Sequence, residues 1–184
     1  MNIIYNQRFK STEEKIQQAL FTLLKYHGYN DLSIKEICYE AGINRSTFYA
    51  HYQDINDLMM KTEESLSGGI RDIFRPNETW GHSVFVKMFE YILKYKTFYK
   101  AYLSTNELNF MERNDFIDFI KLVKKNNLNL KFNQGEQIYH MAFFAGGIKA
   151  LTKSWILNDC KESPEKMANI LKNEYFLNFA YFMS

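Results

Sequence analysis

The 184 residues carry 46% apolar side chains and 23 basic against 21 acidic residues, enough apolar mass for a packed core in one large or two small domains. Cys38 and Cys160, the only cysteines, have no paired spacing; they read as two buried free thiols, and neither a disulfide framework nor a zinc site is suggested. No early segment joins a basic start to a long apolar run, and stretches such as YFLNFAYFM fall short of a bilayer span, so a soluble, cytoplasmic protein without membrane association is expected.

Apolar residues recur at helical spacing, and Pro76 and Pro164 are the only prolines, which predicts an all-α fold of about nine helices. Ser11-Thr12-Glu13-Glu14 has the form of a capping box, Ile16, Leu20, Leu23 and Leu24 make a stripe, and Gly28 offers a left-handed stop. A first helix from about Thr12 to His27 follows. In Leu32-Ser33-Ile34-Lys35-Glu36-Ile37, Ser33 and Glu36 can cap each other while Leu32 and Ile37 close a hydrophobic staple, so a second, short helix starts there. Gly42 ends it, Ile43 plugs the turn, and Asn44 suits the N-cap of a third helix. Two short helices joined by a glycine turn make a helix-turn-helix.

The third helix reads by face. With Phe48 turned to the core, steps of about 100° put Tyr52 beside it and Ser46 and Ala50 opposite. Arg45 and Tyr49 then border the outer ridge on one side, Thr47 and His51 on the other. Such a slim edge, rimmed by hydrogen-bond donors, suits a major groove about 12 Å wide; a tight helical corner with a solvated face is the alternative.

The segment LSIKEICYEAGINRSTFYAHYQDINDLM closely resembles the DNA-binding signature of the tetracycline-repressor (TetR/AcrR) family of bacterial transcription regulators, in the start of helix two, the AGI turn, the aromatic-Tyr pair and the His-aromatic ending. The resemblance covers residues 11–60. It implies an all-helical homodimer with an N-terminal three-helix DNA-binding domain, residues 1–55, and a C-terminal domain for dimerisation and ligand sensing, residues 56–184. By position it implies that Ser33, Lys35, Tyr49 and His51 address phosphates and that Arg45, Ser46 and Thr47 lie nearest the bases. Arg45 is the residue suited to grip both acceptors of a guanine, while Asn44 caps its helix or touches DNA. One position departs from the pattern: where the family has a phosphate-clamping lysine at the start of helix four, this chain has Ile55. Residues 1–60 hold six basic and seven acidic side chains, so helix N-termini and hydroxyls must supply much of the phosphate binding. Arg8 and Lys10 are expected just before helix one, on an N-terminal arm or a solvated tail.

Asp54 can cap a fourth helix running to about Phe74, in which Gly68-Gly69 marks either a bend or close packing. Arg75 to Thr79 reads as a loop. Beyond it Phe85, Phe89, Ile92 and Tyr95, then Phe98, Tyr99 and Tyr102, form aromatic-rich helices; the resemblance implies that these surround a small-molecule pocket, and a plain aromatic core is the alternative. Over about Gly135 to Asn158, Ala142, Gly146, Ala150 and Ser154 recur every four residues as a small-residue stripe. Ser163-Pro164-Glu165 opens a last helix rich in apolar groups, Phe176 and Phe179 among them. The resemblance implies that both helices bury faces in a two-fold dimer interface. The segment FFAGGIKALTKSWILNDCKESPEKMANIL is also similar to a subgroup known from low-GC Gram-positive bacteria, near which some members activate dihydroxyacetone utilisation; the sign of regulation stays open.

Enzyme chemistry finds little support. His27, His51, His82 and His140 are scattered, no nucleophile elbow or phosphate loop is present, and Glu136 with His140 reads as a solvated glutamate beside a partly buried histidine, not as metal ligands. The expectation is a homodimeric regulator of transcription, a repressor in sign, that binds a pseudo-palindromic double-stranded operator, answers to a small-molecule effector or protein partner, and uses no metal or cofactor. A protein-binding co-regulator or activator with weak direct DNA binding is the alternative.

Overall fold

The computed structural model describes residues 3–74, 82–108 and 135–173. Among the described residues lie eight α-helices and no strand: α1 (Ile3–Leu23), α2 (Ile34–Ala41), α3 (Arg45–His51), α4 (Ile55–Ile73), α5 (His82–Lys94), α6 (Lys96–Tyr102), α7 (Gln137–Leu157) and α8 (Pro164–Leu171), with a 3₁₀ turn at Tyr29–Asp31. None of these helices is long and apolar enough to cross a membrane. The chain forms two compact units, one of Met1–Ser65 with Thr97–Glu107, the other of Leu66–Lys96 with Leu108–Ser184. The expected loop over 75–79 and the dimer candidates Phe176 and Phe179 lie outside the described residues.

In the first unit α1 packs on α2 and α2 on α3. Ile16 and Leu20 from α1, Leu24 just past its end, Ile37 from α2, Phe48 from α3 and Leu58 and Met59 from α4 are buried together with Tyr52, and Phe21 meets Phe98 edge-on at 5.8 Å. Helix α1 begins at Ile3, nine residues before the expected Thr12. The Ser11–Glu14 group therefore lies inside a helix, where the Thr12 hydroxyl donates to the Arg8 carbonyl at 3.0 Å. The extra turns persist because they have a tertiary partner: the Phe9 ring stacks on His51 at 3.9 Å. Arg8 and Lys10 are accordingly helical residues and form no arm. Gly28 has φ −73°, not the left-handed value expected; its N–H donates to the Asp31 carboxylate, which closes the turn by side-chain capping.

In the second unit α5 packs on α8, and aromatic rings meet edge-on at Phe89–Trp155 and Phe74–Phe85. Ser163 caps α8 by accepting the Lys166 N–H at 3.2 Å, with Pro164 in the first turn as expected. The corner between α7 and α8 turns on two consecutive non-glycine residues in left-handed conformation, Asp159 at φ 63° and Cys160 at φ 50°. Such geometry costs of order 1 kcal/mol or more per residue and is held from outside. The Lys96 ammonium donates to both the carbonyl and the carboxylate of Asp159 at 3.1 Å, and the Trp155 indole donates to the Glu162 carbonyl at 3.0 Å. Cys38 is buried as expected, whereas this corner leaves Cys160 half-exposed.

The glycine pair in α4 interrupts nothing. The helix runs unbroken through Gly68 and Gly69 to Ile73, and close packing, the other expected reading, explains Gly69: a Cβ there would collide with the Tyr91 hydroxyl and lie 2.6 Å from its ring. Gly68 faces only the Arg71 side chain at 3.5 Å. Gly68→Ala should therefore stabilise the protein by about 0.5–1 kcal/mol through helix propensity. Gly69→Ala should destabilise the wild type but stabilise the Tyr91→Ala variant, where the obstructing ring is gone, as read by denaturant unfolding of the four proteins.

Candidate nucleic-acid interface

The reading head is assembled from local signals that the backbone obeys in sequence. The Ser33 hydroxyl accepts the Glu36 N–H at 3.3 Å and donates to its carboxylate at 2.6 Å, which fixes the start of α2. Gly42 takes φ 66°, a conformation that suits a residue without Cβ, and turns the chain toward α3. There Asn44 acts as cap: its Oδ1 accepts from the Thr47 N–H at 2.7 Å, the Thr47 hydroxyl at 2.8 Å and the Ser46 hydroxyl at 2.7 Å.

Phe48 and Tyr52 point inward and are buried, while Ser46 and Ala50 form an exposed outer edge. Beside that edge Arg45 is exposed, and its guanidinium has no hydrogen-bond or ion-pair partner among the described residues. Tyr49 is 55% exposed and Thr47 half-buried. Lys35, Asn44 and Arg45 line one shallow groove of about 750 Å³ with Leu23, Cys38 and Ile43. The structure thus brings Lys35, Asn44 and Arg45 around one groove, which Glu36 and Glu40 also line. Ser33 sits half-buried at the start of α2 with its hydroxyl engaged in the cap.

His51 departs from the expected rim position. Its side chain is only 4% exposed and stacks on Phe9, with Nδ1 3.9 Å from the Glu13 carboxylate, so the ring anchors the end of α3 against α1. The six aromatics assigned to a pocket are divided between the units. Phe85 and Phe89 are buried and Tyr95 half-buried in one; Phe98, Tyr99 and Tyr102 are buried in the other, with Phe98 stacked on Tyr102.

The face-by-face reading overlooks the supports on the far end of α3. The Lys61 ammonium donates to the His51 carbonyl at 3.1 Å and to the Asp57 carboxylate at 3.0 Å, and lies 5.4 Å from the centre of the Tyr52 ring. Asp57 also accepts the Gln53 N–H at 2.9 Å; that bond, reinforced by Lys61, holds its carboxyl below the ordinary range. The i, i+4 spacing of Asp57 and Lys61 was the available sequence signal, but nothing in it says that the cation also reaches back ten residues. Burial lifts the Tyr52 phenol to about 12. Burial likewise holds the His51 imidazole below its ordinary value, against the pull of Glu13.

Comparison with known proteins is consistent with this head. Residues 16–60 match the family model described as bacterial regulatory proteins, tetR family, and residues 78–174 match the one described as transcriptional regulator C-terminal region. No curated protein matches the chain in sequence. Among solved structures, the dihydroxyacetone kinase operon activator DhaS is similar with a TM-score of 0.75 at 20% identity, covering 94% of this chain and 98% of that one. A TetR transcriptional regulator from Streptococcus agalactiae 2603V is similar at 0.54 and 15% identity over 93% and 97%. The fatty acid degradation regulator FadR from Bacillus halodurans matches at 0.54 and 15% identity over 88% and 93%. At such identities these likenesses show the fold alone.

The packed His51 ring sets a pH dependence. Its folded value lies below the unfolded one near 6.5, so the unfolded chain binds the extra proton first. The stability tied to the neutral ring is complete above about pH 6.5 and is lost as pH falls toward the lower folded value. Between pH 7.5 and 5.5 the thermal midpoint of the wild type should drop further than that of His51→Phe; equal drops would show that the ring does not report on folding.

Proposed function

The chain belongs to the TetR family of bacterial regulatory proteins, and on that premise we propose that it is a sequence-specific, homodimeric regulator that reads a pseudo-palindromic operator with α3, in the cytoplasm and without catalysis. The observation that carries this reading is the bare Ser46–Ala50 edge with an uncommitted Arg45 beside it. In this proposal Arg45 contacts a guanine edge, Ser46 and Thr47 lie against neighbouring bases, and Lys35 and Tyr49 meet phosphates. Ser33 and Asn44 contribute through the helix N-termini they cap, whose free N–H groups attract phosphate, and His51 contributes by holding α3 in place. Two such heads on a two-fold axis would address half-sites about one helical turn apart.

The second unit supports a dimer. Ala142, Gly146, Ala150 and Ser154 are exposed along α7, a Cβ placed on Gly146 would meet nothing within 4 Å among the described residues beyond its own stretch of helix, and Tyr139 and Phe143 on the same helix are each 75% exposed. An apolar stripe of this kind around small residues suits close approach by the same helix of a second copy. An effector, a small molecule or a protein, would act on this unit and on its aromatic core. Repression is the sign we propose; the activator named above shows that this fold serves the opposite sign in another protein. A co-regulator that reads DNA weakly is the second reading, favoured by Ile55 and by six basic against seven acidic residues in 1–60.

Selection from random double-stranded DNA should return an inverted-repeat site. Arg45→Ala should then weaken binding to it by about 1–3 kcal/mol and relax preference at a single base pair per half-site; failure to enrich any sequence would favour the co-regulator. Gly146→Arg should convert a sedimenting dimer to monomer and abolish binding to the full site, whereas an unchanged dimer would place the interface elsewhere.

A further inference from the structure

A helix of seven residues is too short to hold its own direction, and the last carbonyls of any helix lack partners within it. The first turn of α3 is tied by Asn44, and its middle by Phe48. Its final residue is held by two neighbouring helices: α1 supplies Phe9 against the His51 ring, and α4 supplies the Lys61 ammonium to the His51 carbonyl, 3.1 Å away. The cation sits where the negative end of the helix dipole favours it. Its charge is met by Asp57 at 3.0 Å, so it is committed to the protein and does little to attract phosphate.

We infer that Lys61 is a positioning residue for operator recognition: it locks the C-terminal end of α3 to α4 and thereby sets the tilt at which the Arg45 edge enters the groove. The inference rests on the reading of α3 as the recognition helix. Its logic is that base contacts tolerate displacements of only about 0.5 Å and 10–20°, whereas folding does not need this bond. The Lys61 side chain is largely exposed, water can take its place on the carbonyl, and the buried Phe48 and Tyr52 remain. Removing the ammonium should loosen the helix without unfolding the head.

The test uses the full-length protein, a site obtained by selection and a random duplex of equal length, with Kd measured across a salt series for the wild type, Lys61→Met, Lys61→Arg and Arg45→Ala. Lys61→Met keeps the stem and should raise the Kd for the selected site about tenfold, leave the random-duplex Kd and both salt slopes unchanged, and be largely rescued by Lys61→Arg. A partly unfolded variant loses both affinities alike, so the ratio of the two Kd values separates positioning from stability. The proposal is overturned if Lys61→Met binds as the wild type does or weakens both duplexes equally. It is also overturned if the salt slope falls by roughly 0.9 per head, the mark of a lost phosphate contact. If Arg45→Ala binds the selected site unchanged, α3 is not the reader, and the premise falls before the clamp does.

Discussion

The structure depends on one constraint: a helix of less than two turns, α3, has to be made rigid by its surroundings. Isolated helices of this length do not persist in water, and α3 contributes a single fully buried side chain, Phe48, to the core. Everything around it answers that deficit. Asn44 gathers three donors onto one oxygen at its start, Gly42 aims the chain, and Phe9, Glu13, Asp57 and Lys61 converge from α1 and α4 on its finish. The exposed edge stays free for a partner because stabilisation is confined to the ends and the inner face.

This arrangement also explains how a head with no net positive charge serves a DNA-binding regulator. Lys61 lies just beyond the stretch of six basic and seven acidic residues, and its charge is met by Asp57. Under the proposed reading, Arg45 and Lys35 are the cations left exposed for the duplex, while the Ser46 and Thr47 hydroxyls are engaged by Asn44. Partial charges on oriented N–H groups attract phosphate over a short range only. Such a head gains little from distant steering and relies on fit.

The parts legible in the sequence were those governed by contacts three or four residues apart. The Ser33–Glu36 cap, the left-handed Gly42, the Asn44 cap, the inward Phe48 and Tyr52 and the Ser163-Pro164 start each depend on the local chain, and each is found where its signature stands. The misreadings share the opposite character. Ser11–Glu14 has a capping signature but lies within α1, because Phe9 finds a ring on another helix to pack against. Helical geometry and the family resemblance both put His51 on the rim, and that same partner turns it inward. Gly68-Gly69 offered a choice between bend and contact, and only the position of Tyr91, on a different helix, decides it. Residue types announce what a segment tends to do; which segment it meets is settled by the assembled core.

The notch at Gly69 restricts how α4 can travel. The Tyr91 phenol occupies the space a side chain would fill, and the residues one helical turn away in either direction, Ser65, Leu66, Asp72 and Ile73, all carry a Cβ. Axial sliding in either sense would drive one of those atoms into the phenol, so translation past α5 is blocked by a mechanical stop. That stop acts within the second unit, where Gly69 and Tyr91 both lie.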